Sequence, residues 1–440
     1  MIDQKLKYRR FKAYIEGILG RTFTDGEYDD IAETIRVALE QSVMMGRHYD
    51  RALLNNPTYA EHLFHLWIHD QNDTQHLLDV MEIVAGQSGQ EPTPHPEPVP
   101  GPEPAPQPLP GPYPSGLSVV WPLPGDNSPE ATAPKEVFCA LEVPDGIVVG
   151  RYGGGSSPQG GADILLIRDG HATVEHTFNN PIEESVFAML MTQDGLSLAI
   201  TEEYGSIAYR ESIGKWIKNF TQPEWERLML SIKQKKDGSI YGLWTHYAGF
   251  HSGLVRSLDG GKTFSNYKSY NDLILVGMAI DSDTIYLAGL DQRGQIVVDV
   301  DGNTIFSYPN LKDGYQYWPI LAKDGKILVG TWNNRRGDHR FTYIDLIING
   351  RREEVYHGGV HPYFQSACEL NGVAYFLATR DWDIPKGQKS LLVASHDWKT
   401  TEPVCEIPWT HAMTLSPGKD CIYIGCGKKY EVGQLMVYKP

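Results

Sequence analysis

The chain has 440 residues and a formal charge of -16. With no block of Lys or Arg to offset it, that acidity argues against nucleic acid or an anionic membrane surface as the main partner. No 18-residue apolar run exists, so membrane insertion is not expected. The opening Met1–Tyr14 lacks the apolar core of a secretory signal, so synthesis in the cytoplasm is expected.

Residues 1–87 have helical periodicity. Tyr8, Phe11, Ile15 and Ile18 make one apolar stripe, and Thr24 with Glu27 reads as a capping box for a helix through Tyr28, Ile31, Ile35, Leu39 and Val43. Four short helices in so few residues bury a modest core, so this domain is expected to complete its burial against a larger protein assembly or copies of itself. A homo-oligomeric or multi-copy protein follows. His62, His65 and His69 share one helical face at a spacing that could ligate zinc or nickel. Neither an HExxH arrangement nor a cysteine accompanies them, so a polar stripe is the favoured reading and no metal or cofactor is expected.

Residues 88–114 form a linker. From Pro92 to Pro114 every second residue is proline. Proline fixes its own φ and drives the preceding residue into extended geometry, so the segment is expected to be a polyproline II rod. At about 3.1 Å per residue it would span roughly 70 Å. It reads as a stiff spacer between two domains.

Residues 115–440 repeat one pattern seven times: a Gly or Asp turn followed at once by a β-branched or aromatic run. The turns at Asp145-Gly146, Asp194-Gly195, Asp237-Gly238, Ser282-Asp283, Asp324-Gly325, Asn371-Gly372 and Lys419-Asp420 carry it. The period is about 45 residues, the length of a four-stranded β-propeller blade. The fold expected is therefore mainly β: a seven-bladed propeller of four-stranded antiparallel blades, preceded by the small all-α domain and the polyproline II linker. The seventh repeat ends at Pro440 with three strands, whereas the strand at 117–122 stands alone before the first repeat. The two are expected to pair and close the ring, removing two exposed sheet edges. The five cysteines, Cys139, Cys368, Cys405, Cys421 and Cys426, are odd in number and lie in or beside predicted strands, so buried free thiols are expected.

One turn carries a fuller signature. Ser257, Asp259, Gly261, Thr263 and Phe264 match S-x-D-x-G-x-T-[FW] in register, and Ser395 to Thr400 is a degraded copy. The domain thus resembles the Asp-box (BNR, sialidase-like) propellers. The resemblance implies a structural fastener, in which short polar side chains bond the turn backbone and the aromatic ring packs beneath it. It does not extend to catalysis: sialidases have six blades and an Arg-Ile-Pro motif that this chain lacks, so no catalytic residue is assigned.

The connections between strands two and three, and between successive blades, share one face of a propeller. Here they concentrate aromatic and hydrogen-bonding side chains. Tyr152, Tyr204, Tyr247, Tyr317, Trp318, Trp332, Arg340, Tyr363, Arg380, Trp382, Asp383 and Trp409 are the candidate ligand-binding residues. The opposite face carries Asp-Gly and Asn-Gly turns. Flat rings beside Asp, Arg and His suit a sugar, and the same types dominate protein interfaces. The expected partner at this face is a glycan or protein receptor.

Helical anchor, proline rod and distal β head together resemble the layout of a phage virion appendage or tail protein. That layout implies a non-catalytic recognition protein of a virion. Two alternatives remain: a glycan-active hydrolase, which would need Glu202 or Glu203 to converge with Asp381 or Asp383, and a purely structural virion or scaffold component.

Overall fold

The computed structural model describes residues 114–440 apart from residue 134 and the segments 153–161, 179–184, 202–204, 223–226, 247–249, 309–317, 334–340, 358–362, 380–388, 409–411 and 428–431. The expected helical domain, the linker up to residue 113 and the histidines at 62, 65 and 69 lie outside the described residues. So do the sequences that carried the expected virion anchor.

Seven four-stranded antiparallel sheets make up the described chain. Blade one is β2 (Val137–Val143), β3 (Gly146–Arg151), β4 (Asp163–Arg168) and β5 (His171–Thr177). Blade two is β6 (Val186–Met191), β7 (Ser197–Thr201), β8 (Ile207–Ser212) and β9 (Lys215–Phe220). Blade three is β10 (Leu228–Gln234), β11 (Ile240–His246), β12 (His251–Ser257) and β13 (Ser265–Asn271). Blade four is β14 (Leu273–Asp281), β15 (Thr284–Asp291), β16 (Gln295–Asp299) and β17 (Thr304–Tyr308). Blade five is β18 (Ile320–Lys323), β19 (Lys326–Asn333), β20 (Phe341–Ile348) and β21 (Arg351–His357). Blade six is β22 (Tyr363–Leu370), β23 (Val373–Thr379), β24 (Ser390–Ser395) and β25 (Glu402–Ile407). Blade seven is β26 (Ala412–Pro417), β27 (Ile422–Cys426) and β28 (Gln434–Tyr438), completed by β1 (Leu117–Trp121).

The mainly β, seven-bladed fold expected from the repeats is the fold observed. The first strand of each blade touches the first strand of the next, so β2, β6, β10, β14, β18, β22 and β26 ring the central channel. β1 pairs antiparallel with β28, Leu117 opposite Tyr438 and Trp121 opposite Leu435. The ring therefore closes on a strand from the start of the domain, which covers the edge of β28 where the repeats run out.

Burial explains the sequence pattern. The second strands are packed by a blade on either side, so β7 and β27 are buried at every residue. The outermost strand β13 is exposed on most residues and β5 is buried at only two, and their burial comes and goes as successive side chains change face. Each hydrophobic cluster spans two blades: Leu198, Ile200 and Ile207 of blade two pack with Met229, Trp244 and Val255 of blade three.

Polar side chains tie the blades where the apolar seams end. Arg210 of β8 donates to both Asp145 oxygens at 2.7 Å and to Glu175, which also accepts from Trp216 Nε1 at 2.9 Å. Ser252 Oγ donates to Leu273 O at 3.0 Å and accepts from Leu275 N at 2.8 Å, joining blades three and four. Ser416 Oγ accepts from Ala140 N at 3.1 Å across the closing seam.

The turn end of the disc is held by local chemistry. Asn349-Gly350 and Asn371-Gly372 have φ of 50°, 71°, 51° and 86°, the two positive values a tight type I′ hairpin needs. At the Ser257 turn, Ser257 Oγ accepts from Gly261 N at 2.9 Å and donates to Asp259 Oδ1 at 2.8 Å. Asp259 Oδ1 accepts from Lys262 N and Thr263 N, and Oδ2 accepts from Thr263 Oγ1 at 2.6 Å. Phe264 packs edge-on to Phe220 with centroids 6.4 Å apart. Asp397 accepts from Lys399 N and Thr400 N in the same way, and Asp299 from Asp301 N and Asn303 N. All five cysteines are free, four buried and Cys405 half-buried.

Candidate ligand-binding mouth

The face opposite those turns is built on a repeated backbone irregularity. In six first strands the pairing register slips by one residue at corresponding places: between Val137 and Cys139, Val186 and Ala188, Met229 and Ser231, Leu275 and Gly277, Phe364 and Ser366, and Ala412 and Thr414. A bulge leaves one residue unpaired and re-aims its side chain. The bulged residues are Phe138, Phe187, Leu230, Val276, Gln365 and Met413. In blade five the cis Trp318-Pro319 peptide stands at that level, with Trp318 N donating to Gly330 O at 2.9 Å and Gly330 N to Pro319 O at 2.8 Å.

Four rings follow one another at this level. Tyr152 stacks on Phe138 at 6.1 Å, Phe138 meets Phe187 at 6.0 Å, and Phe187 stacks on Trp318 at 6.0 Å and 18°. Phe187 belongs to blade two and Trp318 leads into blade five, with two blades between them one way and three the other. A contact between them has to span the channel. Leu228, Leu230, Ile274 and Val276 close the side toward blades three and four, joined by Phe250 and Leu290, and Met413 packs with Phe138 and Tyr152 on the other. The channel is plugged by apolar side chains just below the mouth. Such ring pairs contribute about 0.5–1.5 kcal/mol each beyond their burial.

The mouth's described rim lies mainly in blade three. His246 Nδ1 and His251 Nε2 are 3.4 Å apart with rings edge-on at 4.6 Å. Trp244 meets His251 edge-on at 5.5 Å and carries the Arg227 guanidinium at 4.6 Å from its centroid. Beneath them Thr245 and Ser252 exchange a 2.8 Å hydrogen bond. Among the described residues no three His, Cys, Asp or Glu side chains form a metal-binding group.

The sequence-derived candidates divide accordingly. Tyr152 and Trp318 are brought together by the plug; Tyr152 is 9% exposed and Trp318 half-buried. Trp332 lies on β19 opposite Thr342, and Tyr363 starts β22 opposite Thr379, but their side chains fall outside the described residues. Tyr204, Tyr247, Tyr317, Arg340, Arg380, Trp382, Asp383 and Trp409 fall outside them too, as do the carboxylates at 202, 203 and 381.

Arg151, next to Tyr152 in the chain, is committed to the fold. It is 2% exposed, forms two 2.8 Å bonds to Asp163, donates to Glu130 O at 2.9 Å and lies over Trp121. Lys135 Nζ completes the cluster at 2.7 Å from Asp163. That arginine is spent on closing the ring beside β1. Sequence reasoning missed Phe138 and Phe187, because an aromatic residue at the start of a strand reads as ordinary core; the signal available was its recurrence at one place in successive repeats.

A cleft of about 490 Å³ lies on the turn side, at the seam of blades seven and one. Its polar walls are already engaged: Arg168 donates to Asp145 and Tyr423 OH to Glu142 Oε1 at 2.7 Å.

No protein-family model matches the chain, and no curated protein matches it. Similar solved structures exist. A catalytically inactive histidine-to-alanine variant of virginiamycin B lyase from Staphylococcus aureus, crystallised with quinupristin, is 13% identical, covers 74% of this chain and 99% of its own, and has a TM-score of 0.52. A selenomethionine-substituted virginiamycin B lyase from the same organism is 13% identical over 70% of this chain and 98% of its own, with a TM-score of 0.50. At that identity the likeness establishes the propeller fold and nothing finer.

Proposed function

We propose that this protein is a non-catalytic recognition protein, a virion appendage of a phage, whose propeller mouth binds a host-surface glycan or protein. The observation that carries the reading is the aromatic plug. It converts an open channel into a shallow cup with a flat, partly accessible ring floor at Phe187 and Trp318. A sugar ring stacks its apolar face on such a floor while rim groups take its hydroxyls. On this reading the rim is Tyr204, Tyr247, Tyr317, Trp332, Arg340, Tyr363, Arg380, Trp382, Asp383 and Trp409, with Tyr152 beneath. The Ser257 turn acts as an Asp-box fastener away from the site. Residues 1–87 anchor the protein to the virion and the proline rod at 88–114 holds the head clear of it, which also suits a multi-copy arrangement.

The test is to incubate the full chain with a panel of bacterial surface polysaccharides and follow binding and release of reducing ends together. Saturable binding without release, weakened at least tenfold by Trp332→Ala or Trp382→Ala, is expected. Release of reducing ends would replace this reading with a hydrolase. Silence in both channels would reject a glycan ligand.

A second reading has its own observation. Two imidazoles 3.4 Å apart at the mouth provide a proton acceptor and donor side by side, the equipment of general acid–base chemistry, and a similar propeller is a lyase made inactive by loss of one histidine. If the mouth is an active site, His251→Ala abolishes turnover while polysaccharide or peptide binding persists.

A further inference from the structure

Two imidazoles on the mouth rim face each other at a separation that a hydrogen bond does not favour. His246 ends β11 and His251 opens β12, and they are direct partners, the last pair of that ladder. β11 and β12 are the two middle strands of blade three, each paired on both sides, so the backbone sets how far apart the two side chains start. Thr245 and Ser252, one step further along the ladder, exchange their own hydrogen bond at 2.8 Å. Trp244 supports His251 edge-on at 5.5 Å. The two imidazole rings stand at 87°, with His246 Nδ1 and His251 Nε2 3.4 Å apart. Both residues are half-buried, so an ion from solvent reaches them.

A well-made hydrogen bond from an N–H is about 2.7–3.2 Å long, and this pair lies outside that range. The separation is instead that of two ligands on one ion. Nitrogens held about 2.0–2.1 Å from zinc, with tetrahedral angles between them, stand about 3.3–3.4 Å apart. A square-planar ion with similar bonds needs about 2.9 Å between neighbouring nitrogens, which the pair exceeds. Imidazole suits zinc, copper and nickel, whereas magnesium and calcium take oxygen.

We propose that His246 and His251 form a bidentate site for a tetrahedral divalent transition ion, and the spacing selects Zn²⁺. His246 ligates through Nδ1 and His251 through Nε2. Two protein ligands leave two positions for water, or for an oxygen of a molecule seated over the aromatic floor, which is the open coordination of a site that handles a ligand. The Arg227 guanidinium, 4.6 Å from the Trp244 centroid, opposes a second cation on this rim, and the chain's formal charge of -16 favours one. The site stands whether or not the mouth takes a glycan. An imidazole that holds the ion is no longer the proton acceptor of the acid–base reading.

The experiment titrates the full chain, labelled with ¹⁵N at histidine, with Zn²⁺ and separately with Mg²⁺. No polysaccharide is present, so its failure is distinct from failure of the glycan reading. The His246 and His251 ring signals are assigned by their disappearance in His246→Gln and His251→Gln. Both are expected to shift together and saturably with one dissociation constant, and Mg²⁺ to leave them in place. Each variant should weaken binding at the remaining histidine at least tenfold, whereas His62→Gln, which alters the other histidine cluster of the sequence, should change nothing at these two signals. Co²⁺ should give the strong visible absorption of a tetrahedral ion, diminished by His251→Gln. No movement of either signal, unequal constants, or full affinity in the single variants overturns the chelate. An equal response to Mg²⁺ overturns ligation by imidazole, and an octahedral Co²⁺ spectrum overturns the tetrahedral assignment.

Discussion

The two ends of the propeller are built from the same strands by opposite means. At the turn end several aspartates find their partners within a few residues, as Asp259 does with Lys262 and Thr263, Asp299 with Asp301 and Asn303, and Asp397 with Lys399 and Thr400, so those hairpins are fastened by themselves. At the mouth end Phe138, Phe187 and Trp318 meet only because the ring has closed and brought blades one, two and five together. Local hydrogen bonds make those turns independent of one another; the plug makes the mouth depend on the whole ring. A change at the mouth should therefore loosen the domain broadly, and a change at a turn should loosen one hairpin.

The largest effect is expected where the turn end stops being local. Arg210 joins blade two to Asp145 and Glu175 of blade one, and its side chain is 8% exposed with that of Glu175 at 3%. Arg210→Met strands two carboxylates, one of them fully enclosed, and should cost about 3–5 kcal/mol in urea unfolding. The pH dependence sharpens the test. Hydrogen bonds from Arg210, opposed by burial, hold the Asp145 carboxyl down at about 2. A depressed carboxylate contributes stability that is present above its unfolded value and lost as pH falls through about 2. Wild-type stability should thus decline between about pH 4 and pH 2, and Arg210→Met should flatten that decline. An equally steep decline in the variant would assign it to other carboxylates.

Phe187→Ala breaks two links of the ring string at once. Because Phe187 is half-buried, about 3 kcal/mol is expected, the low end for a large-to-small aromatic substitution. Calorimetry should show one transition moved as a unit. If only a small early transition appears, the mouth is as local as the turns and the contrast between the two ends fails.

How much of this was legible in the sequence follows the same division. The blades were readable because Asp-Gly and Asn-Gly turns announce themselves in two residues, and Ser257, Asp259, Thr263 and Phe264 have the hydrogen bonds and packing their spacing implied. The pairing of β1 with β28 was readable from the strand that the seventh repeat lacks. The plug was not. Nothing local to Phe187 says that its ring will stack on Trp318 across the channel, and nothing local to Arg151 says that Asp163 and Glu130 will consume its donors.

Ser257→Ala tests the turn end where it is local. Ser257 is 1% exposed, and its hydroxyl accepts from the buried Gly261 N–H. Leaving that N–H unpaired should cost about 1–2 kcal/mol. Asp259→Asn keeps the acceptor but weakens it, for about 1 kcal/mol. Burial works against the Asp259 carboxylate, yet Thr263 and the turn N–H groups hold it down at about 2, so its effect should fade as pH falls toward 2. Amide exchange should accelerate at β12 and β13 alone in both variants.

The smallest effect separates surface decoration from both ends. Lys323 and Glu369 pair at 2.9 Å across blades five and six, with side chains 34% and 40% exposed. An ion pair so open to water loses most of its attraction to the solvent's dielectric, and two long side chains give up rotamer freedom to hold it. Lys323→Met should cost about 0.2–1 kcal/mol, and the difference from wild type should shrink in 1 M salt, where the screening length is about 3 Å. A larger, salt-independent loss would mean that Lys323 acts through its packing: its ammonium lies 5.8 Å from the centroid of Trp398, the ring under the Asp397 turn. In that case the blade five–six seam belongs with Arg210, as a place where a turn is held by its neighbour rather than by itself.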